Sequence, residues 1–278
     1  MDIHLYALCW NDAKMLRFFF RHYDRFVTKY IIFDDGSTDE SIDILSRHPR
    51  VRIRKMPEEM GSFSTDNAVA VWNHCWKESR GRADWVIVGE IDEHLDHSDL
   101  PGYLRTCAAD GVTIVPALGF QMISREFPPA NAVLRAERTV GAPWTRLSKL
   151  SIFDPDAIEE VNFRPGRHLA APTGQVCAPE RDEVVNLHYK YLSVEYVLER
   201  NMQLGQRLSN EDIALGRAHK WRWDMQQLTD DWAKFESESV DLAAPDFDPN
   251  CAHSRPRWWE PFRKSLPTKS HTGRSKGL

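Results

Sequence analysis

Apolar and polar residues recur along the first half of the chain in two periods. One suits buried strands and the other suits helices that bury a single face. Ile3 to Cys9, Tyr30 to Phe33, Val51 to Met56 and Trp85 to Val88 are short β-branched or aromatic runs bounded by turn formers and charge, which predicts strands. Asn11 to Val27 carries Leu16, Phe19, Phe20, Tyr23 and Val27 at helical spacing. The segment after Asp34-Asp35-Gly36-Ser37-Thr38-Asp39 predicts a helix capped by Ser37 or Thr38, with Ile42 and Leu45 turned inward. Thr65 to Ser79, entered from a loop with Gly61, places Ala68, Val71, Trp72, Cys75 and Trp76 on one face. Repeated β-α units of this kind predict an α/β fold, a mostly parallel sheet with helices on both faces.

The regularity weakens after about residue 100. Val112 to Met122, Leu147 to Phe153 and Val184 to Tyr189 read as further strands, separated by long proline-marked loops. Ser193 is a predicted cap for a helix carrying Val194, Val197, Leu198, Met202 and Leu208, and another helix is expected over Asn210 to Phe235. The expected organisation is a catalytic domain over 1–192, a helical extension over 193–252 packed on it, and a basic, partly disordered tail over 253–278.

The net charge of -5 argues against a general nucleic-acid binder. Cys9, Cys75, Cys107, Cys177 and Cys251 form no C-x-x-C pair, and the start Met1-Asp2-Ile3-His4 lacks the build of a signal peptide. A cytoplasmic location is expected. The tail adds Arg257, Arg263, Lys264, Lys269, Arg274 and Lys276 to Trp258, Trp259 and Phe262. Two readings stay open for it: a solvated terminus, or peripheral contact with the anionic inner face of a membrane.

The chemistry gathers where predicted strands end. Trp85-Val86-Ile87-Val88-Gly89 runs into Glu90-Ile91-Asp92-Glu93, three carboxylates within four positions. Carboxylates so crowded repel one another unless a cation lies among them. The C-terminal end of a strand is where open α/β sheets bind ligands, so a hard divalent metal with a phosphate-bearing substrate is expected there. His94, Asp96 and His97 follow on what reads as a polar loop surface. The acids Asp34 and Asp35, at the end of another strand, can accept hydrogen bonds from a base or ribose. His188 ends a strand before a capped helix and can complete a carboxylate-bound Mn²⁺ site, because imidazole suits softer divalent ions.

Together these segments resemble family-2-like glycosyltransferases. Asn11 with its following helix, then Asp34 to Asp39, then Trp85 to Leu95, then Leu187-His188-Tyr189 with Ser193-Val194-Glu195-Tyr196, follow that family's order over residues 3 to 208. The nearest match is a bacterial branch whose acidic motif reads D-I-D-E-F-L. The resemblance implies a GT-A fold, a nucleotide-sugar donor, a Mn²⁺ or Mg²⁺ cofactor, inversion at the anomeric carbon, and a glycan or lipid-linked acceptor such as those of surface polysaccharide synthesis. Carried over by position, Asp34 and Asp35 meet the nucleoside, and Cys9 to Asn11 line the base pocket. Asn67, Ile91 and Lys149 also join the donor site, Lys149 at the diphosphate. Glu90 and Asp92 replace the family's D-x-D pair, and His188 completes the metal shell. The longer Glu90 departs from the pattern, which leaves Asp92 as the metal ligand, Glu90 as a partner of the ribose or of the groups behind the metal ligands, and Glu93 as a group that orients the loop.

The general base is open among Glu126, His168, Glu180 and Asp182, with Glu126, His168 and Asp182 carried forward as catalytic candidates. Two other function classes stay in view. A nucleotidyltransferase or phosphatase would release pyrophosphate or phosphate, and a non-catalytic nucleotide- or glycan-binding module would show no turnover.

Overall fold

The structure, a computed structural model, describes residues 1–56, 65–253 and 255–263. Gly61, Lys264, Lys269, Arg274 and Lys276 lie outside the described residues. The first half is built from β1 (Ile3–Cys9), α1 (Ala13–Tyr23), β2 (Lys29–Asp34), α2 (Ser41–Ser46), β3 (Val51–Lys55), α3 (Thr65–His74) and β4 (Trp85–Glu90). The strands β3, β2, β1 and β4 lie side by side and all parallel. Register brings Cys9 beside Asp34 and Leu8 beside Glu90, so the three acid-bearing loops open at one edge. The apolar runs explain this arrangement: Ile3, Leu5, Tyr30, Ile31, Ile32, Val86, Ile87 and Val88 are buried, because a parallel sheet is covered on both faces.

The second half reverses direction. It contains β5 (Glu93–Asp96), α4 (Leu100–Ala109), β6 (Ile114–Ile123), α5 (Leu134–Glu137), β7 (Val140–Pro143), β8 (Lys149–Phe153), the small ribbon of β9 (Ile158–Glu160) and β10 (Thr173–Gly174), and β11 (Val185–Tyr191). The strand β8 pairs antiparallel with both β4 and β6, while β11 pairs parallel with β6 and antiparallel with β5. After β11 come α6 (Val194–Gly205), α7 (Asn210–Ala214), α8 (Met225–Ser237) and β12 (Val240–Asp241), which joins β7 at the sheet edge. The α/β class expected from the sequence is what the structure shows, with the parallel pairing concentrated in the first half.

Three local expectations are corrected. The helix α2 begins at Ser41, and neither Ser37 nor Thr38 caps it; both instead bond to Asn11 of the neighbouring loop. The segment Glu93–Asp96 is a strand rather than a polar loop surface, and His94 is only 1% exposed, packed face to face on His22 at 4.8 Å. The single helix over Asn210 to Phe235 is broken: Gly216 and Ala218 adopt left-handed backbone angles, and a capping box of Asp224 with Gln227 restarts the chain as α8.

The helix α6 starts as predicted, with Ser193 accepting a bond from the Tyr196 backbone at 3.1 Å. With α8 it covers a satellite core of Ile123, Tyr191, Val197, Leu228, Trp232 and Phe235. Part of the expected solvated tail is folded. Trp259 is 1% exposed, and Arg257 is buried against Asp182. An indole and a guanidinium find partners there that water would otherwise supply.

Candidate functional site

The site forms where β1, β2, β4 and β11 converge. Leaving β1, the chain turns through Asn11, whose left-handed angle (φ 51°) suits asparagine better than most residues. That turn stitches two loops together. The Asn11 backbone donates to Ser37 Oγ (3.0 Å), and its Oδ1 accepts from the Thr38 and Asp39 backbones (2.7 and 3.2 Å). The Asp12 backbone donates to Ser41 Oγ at 2.9 Å. Cys9, expected in the base pocket, is buried beneath this turn.

Asp34 accepts from the backbones of Gly36 (3.1 Å) and Ser37 (3.2 Å), holding the turn that Gly36 makes possible with φ 78°. Asp35 is paired with Arg207 at 2.7 Å. The Arg207 guanidinium also lies 4.1 Å over the Trp10 ring. Arg200 of α6 donates to the carbonyls of Trp10 and Asn11 (2.9 and 3.0 Å) and pairs with Asp12 at 2.7 Å. Burial, opposed by Arg200, pushes the Asp12 carboxyl up to about 6. The helical extension thus braces the loops that follow β1 and β2. Asn67 is half-buried in the first turn of α3, and Ile91 is buried between the acids.

The acids of the fourth strand separate into distinct environments. Glu93 is buried and shared between Lys149 and Arg167 Nη2, the latter at 2.5 Å. Arg167 is fully buried, donates to the Val88 carbonyl (2.6 Å), and lies 5.3 Å over the Trp72 ring. Burial alone would raise the Glu93 carboxyl, but these two cations hold it below its usual range. Glu90 moves the other way, raised by burial and by the Glu93 charge against Lys149 and Arg167. Lys149, expected at the diphosphate, is only 2% exposed and spends its ammonium on Glu93, a correction that the sequence motif did not foreshadow.

Asp92 and His188 come together. His188 Nε2 lies 3.4 Å from Asp92 Oδ2, and the Tyr189 backbone donates to the Asp92 carbonyl at 2.8 Å. Gln121 of β6 sets the imidazole. Its Nε2 donates to the carbonyls of Met122 and His188, both at 3.1 Å, so its Oε1 must be the atom 2.7 Å from His188 Nδ1. Nδ1 therefore carries a proton and donates it to Gln121. That leaves Nε2 turned toward the Asp92 carboxylate, where a proton or a metal ion can lie between them. Two ligands bound at about 2.1 Å and roughly 90–110° apart lie about 3.0–3.4 Å from each other, and the observed gap fits that spacing. Although burial would raise Asp92, the charges of His188, Lys190 and Arg200 hold it well below the carboxylate range, ready to bind a cation. Among the described residues no cluster of three or more His, Cys, Asp or Glu is placed to hold a metal, so this pair must share any ion with substrate or water.

The three catalytic candidates are scattered. Glu126 is exposed on the loop after β6, beside Phe127, which packs on Tyr196 of α6 at 4.8 Å. His168 is half-buried, with Nδ1 2.6 Å from the Arg146 carbonyl; burial and Lys149 pull it down to about 4. Asp182 lies before the N-terminal end of β11, fully buried. It accepts from Arg257, from Trp259 Nε1 (2.9 Å) and from Arg263 Nη2 (2.6 Å). Its carboxylate has no face left for an acceptor hydroxyl, which corrects its assignment as a base. Glu180 is exposed, and its backbone carbonyl accepts from Arg263.

Gln121, Lys190, Arg200 and Arg207 were not assigned from sequence. A lone glutamine inside the apolar run of β6 was the available signal for the first, since a buried polar residue needs a partner. Lys190 stands two positions after His188 in a strand, where side chains share a side.

No protein-family model matches the chain, and no curated protein sequence matches it. Solved structures of S. aureus TarS are distantly similar. TarS 1–349 in complex with UDP-GlcNAc shares 12% identity and a TM-score of 0.38, covering 86% of this chain and 72% of that one. TarS 1–349 alone gives 10% identity, a TM-score of 0.38 and coverage of 86% and 71%. Against S. aureus TarS, at 10% identity and TM-score 0.33, the match covers 56% of this chain and spans only 28% of the length of TarS. At that distance, what the chain does must be judged from the site itself. No helix among the described residues is long and apolar enough to cross a membrane.

Proposed function

We propose that the chain is a metal-dependent, inverting glycosyltransferase of the GT-A type, moving a sugar from a nucleotide-sugar donor to a hydroxyl of a glycan or lipid-linked acceptor. The observation that carries this reading is the Asp92–His188 pair, oriented by Gln121 at the edge where the parallel strands end. One anionic oxygen and one imidazole nitrogen suit Mn²⁺ or Mg²⁺ while leaving most of the coordination shell to a diphosphate and water. The ion, when bound, would neutralise charge on the leaving diphosphate.

The chain's own residues supply the remaining parts. Trp10, Asn11 and Asp34 border the nucleoside side of the edge, and Glu90 offers a carboxyl to the ribose. In transfer, the acceptor oxygen forms a bond to the anomeric carbon as the bond to the diphosphate oxygen breaks, and that electron pair leaves on the diphosphate. The acceptor proton passes to a carboxylate base, for which Glu126 is the exposed candidate at this end of β6. Bonding from opposite faces inverts the anomeric centre.

The test is nucleoside diphosphate release from a panel of nucleotide sugars, with Mn²⁺, with Mg²⁺ and with chelator. Asp92→Ala is expected to lower turnover at least about 100-fold, the scale of losing one transition-state charge contact. Full activity in Asp92→Ala, or in chelator, would sink the metal role. Release of pyrophosphate or phosphate instead would point to nucleotidyl or phosphoryl chemistry.

A further inference from the structure

With Lys149 spent on Glu93, a donor diphosphate would lack the cation that the family resemblance implies for it. We propose that Lys190 of β11 takes that place and contacts the donor diphosphate directly. This rests on the nucleotide-sugar reading of the site and adds a residue to it.

In β11 the two partly exposed positions are His188 and Lys190, between buried Leu187, Tyr189 and Tyr191. The pairing of β11 with β6 slips between His188 and Tyr191, a bulge of the kind that re-aims side chains beside sites. Lys190 stands two positions after His188 in the strand, where side chains share a side, so it opens to the cleft that the imidazole faces. Its ammonium lies 6.0 Å from the Trp221 ring centroid. Among the described residues it has no hydrogen-bonding or ion-pairing partner, while the neighbouring cations are engaged: Lys149 and Arg167 with Glu93, Arg200 with Asp12, Lys220 with Asp231.

A half-buried ammonium without a counter-ion is costly unless a ligand supplies one. Asp92 is committed to His188. The anion that fits must therefore come in with substrate, reach the space beside Asp92 and carry enough charge to satisfy a cation at this edge. A diphosphate does all three. Lys190 would then steady the charge that grows on the leaving oxygen, beside the ion that Asp92 and His188 would hold.

The experiment is calorimetry on the full chain with inorganic pyrophosphate, with UDP, GDP, ADP and CDP, and with the parent nucleosides, in chelator and again in Mn²⁺. Lys190→Met is expected to weaken diphosphate binding roughly ten- to hundredfold in both conditions, the scale of one charged hydrogen bond, and to leave nucleoside binding unchanged. Lys190→Arg keeps the charge and is expected to recover most of the affinity. Melting curves of both variants confirm that the fold is retained. Diphosphate affinity unchanged in Lys190→Met overturns the role of Lys190 alone. A wild-type chain that binds none of the nucleoside diphosphates, even in Mn²⁺, overturns the glycosyltransferase reading as well.

Discussion

Removing the carboxylate of Asp182 separates a structural role from a catalytic one. Asp182 is fully buried and receives Arg257, Arg263 and the Trp259 indole, so one side chain ties the C-terminal segment to the start of β11. Asp182→Ala leaves the buried Arg257 facing no counter-ion and strands the Trp259 N–H. Breaking a buried ion pair from one side costs about 3–5 kcal/mol, because the remaining charge stays desolvated. In a chain of this size that corresponds to a fall of roughly 6–20 °C in melting temperature. Urea unfolding followed by tryptophan fluorescence reads the loss directly, since Trp258 and Trp259 sit in the segment that Asp182 holds. Turnover per folded molecule, assayed well below the new melting point, is expected to match wild type. A variant with unchanged melting temperature but abolished turnover would refute the reasoning and restore Asp182 as the base.

Three further outcomes follow from particular contacts. Gln121→Met removes the acceptor that fixes His188 Nδ1–H, so Mn²⁺ affinity, read by titration calorimetry, should fall about 10–100-fold with little loss of fold; unchanged affinity would deny Gln121 its orienting role. His253 is 7% exposed, and burial with the Arg257 charge pulls it down to about 4. A histidine depressed in the folded state stabilises above its unfolded value near 6.5 and loses that contribution as pH falls toward 4. Wild type should thus lose on the order of a few kcal/mol from this residue between pH 7 and 4.5, and urea curves of His253→Gln should show a correspondingly shallower pH dependence. Asp224→Ala breaks the capping box of α8 and should cost about 1 kcal/mol in the same unfolding assay; no measurable change would mean that packing on the satellite core alone sets where α8 begins.

Periodicity and strand-end chemistry made much of this protein legible before its fold was known. The apolar runs of β1, β2, β3 and β4, the α1 face and the Ser193 cap are local properties, and each appears where the sequence placed it. The convergence of Asp34, Glu90 and Asn11 at one edge follows from parallel pairing, which β-α alternation already implies. What remained hidden depends on partners far apart in the chain. Nothing near Lys149 announces that Glu93, 56 positions earlier, will claim its ammonium, and nothing near Asp182 announces Arg257, 75 positions later. Charge pairing of that kind is decided only when segments distant in the chain are brought together. His94 reads as polar by residue type, yet its place on β5 between α1 and β11 buries it among His22, Phe19, Tyr23 and Tyr189. By itself the sequence determined most elements of the first half, the acidic edge and the pairing of Asp92 with His188 as a hypothesis. Tertiary structure decided which charges are spent within the fold and which remain for a ligand, because desolvation forces every buried charge to find its counter-charge wherever the chain happens to supply it.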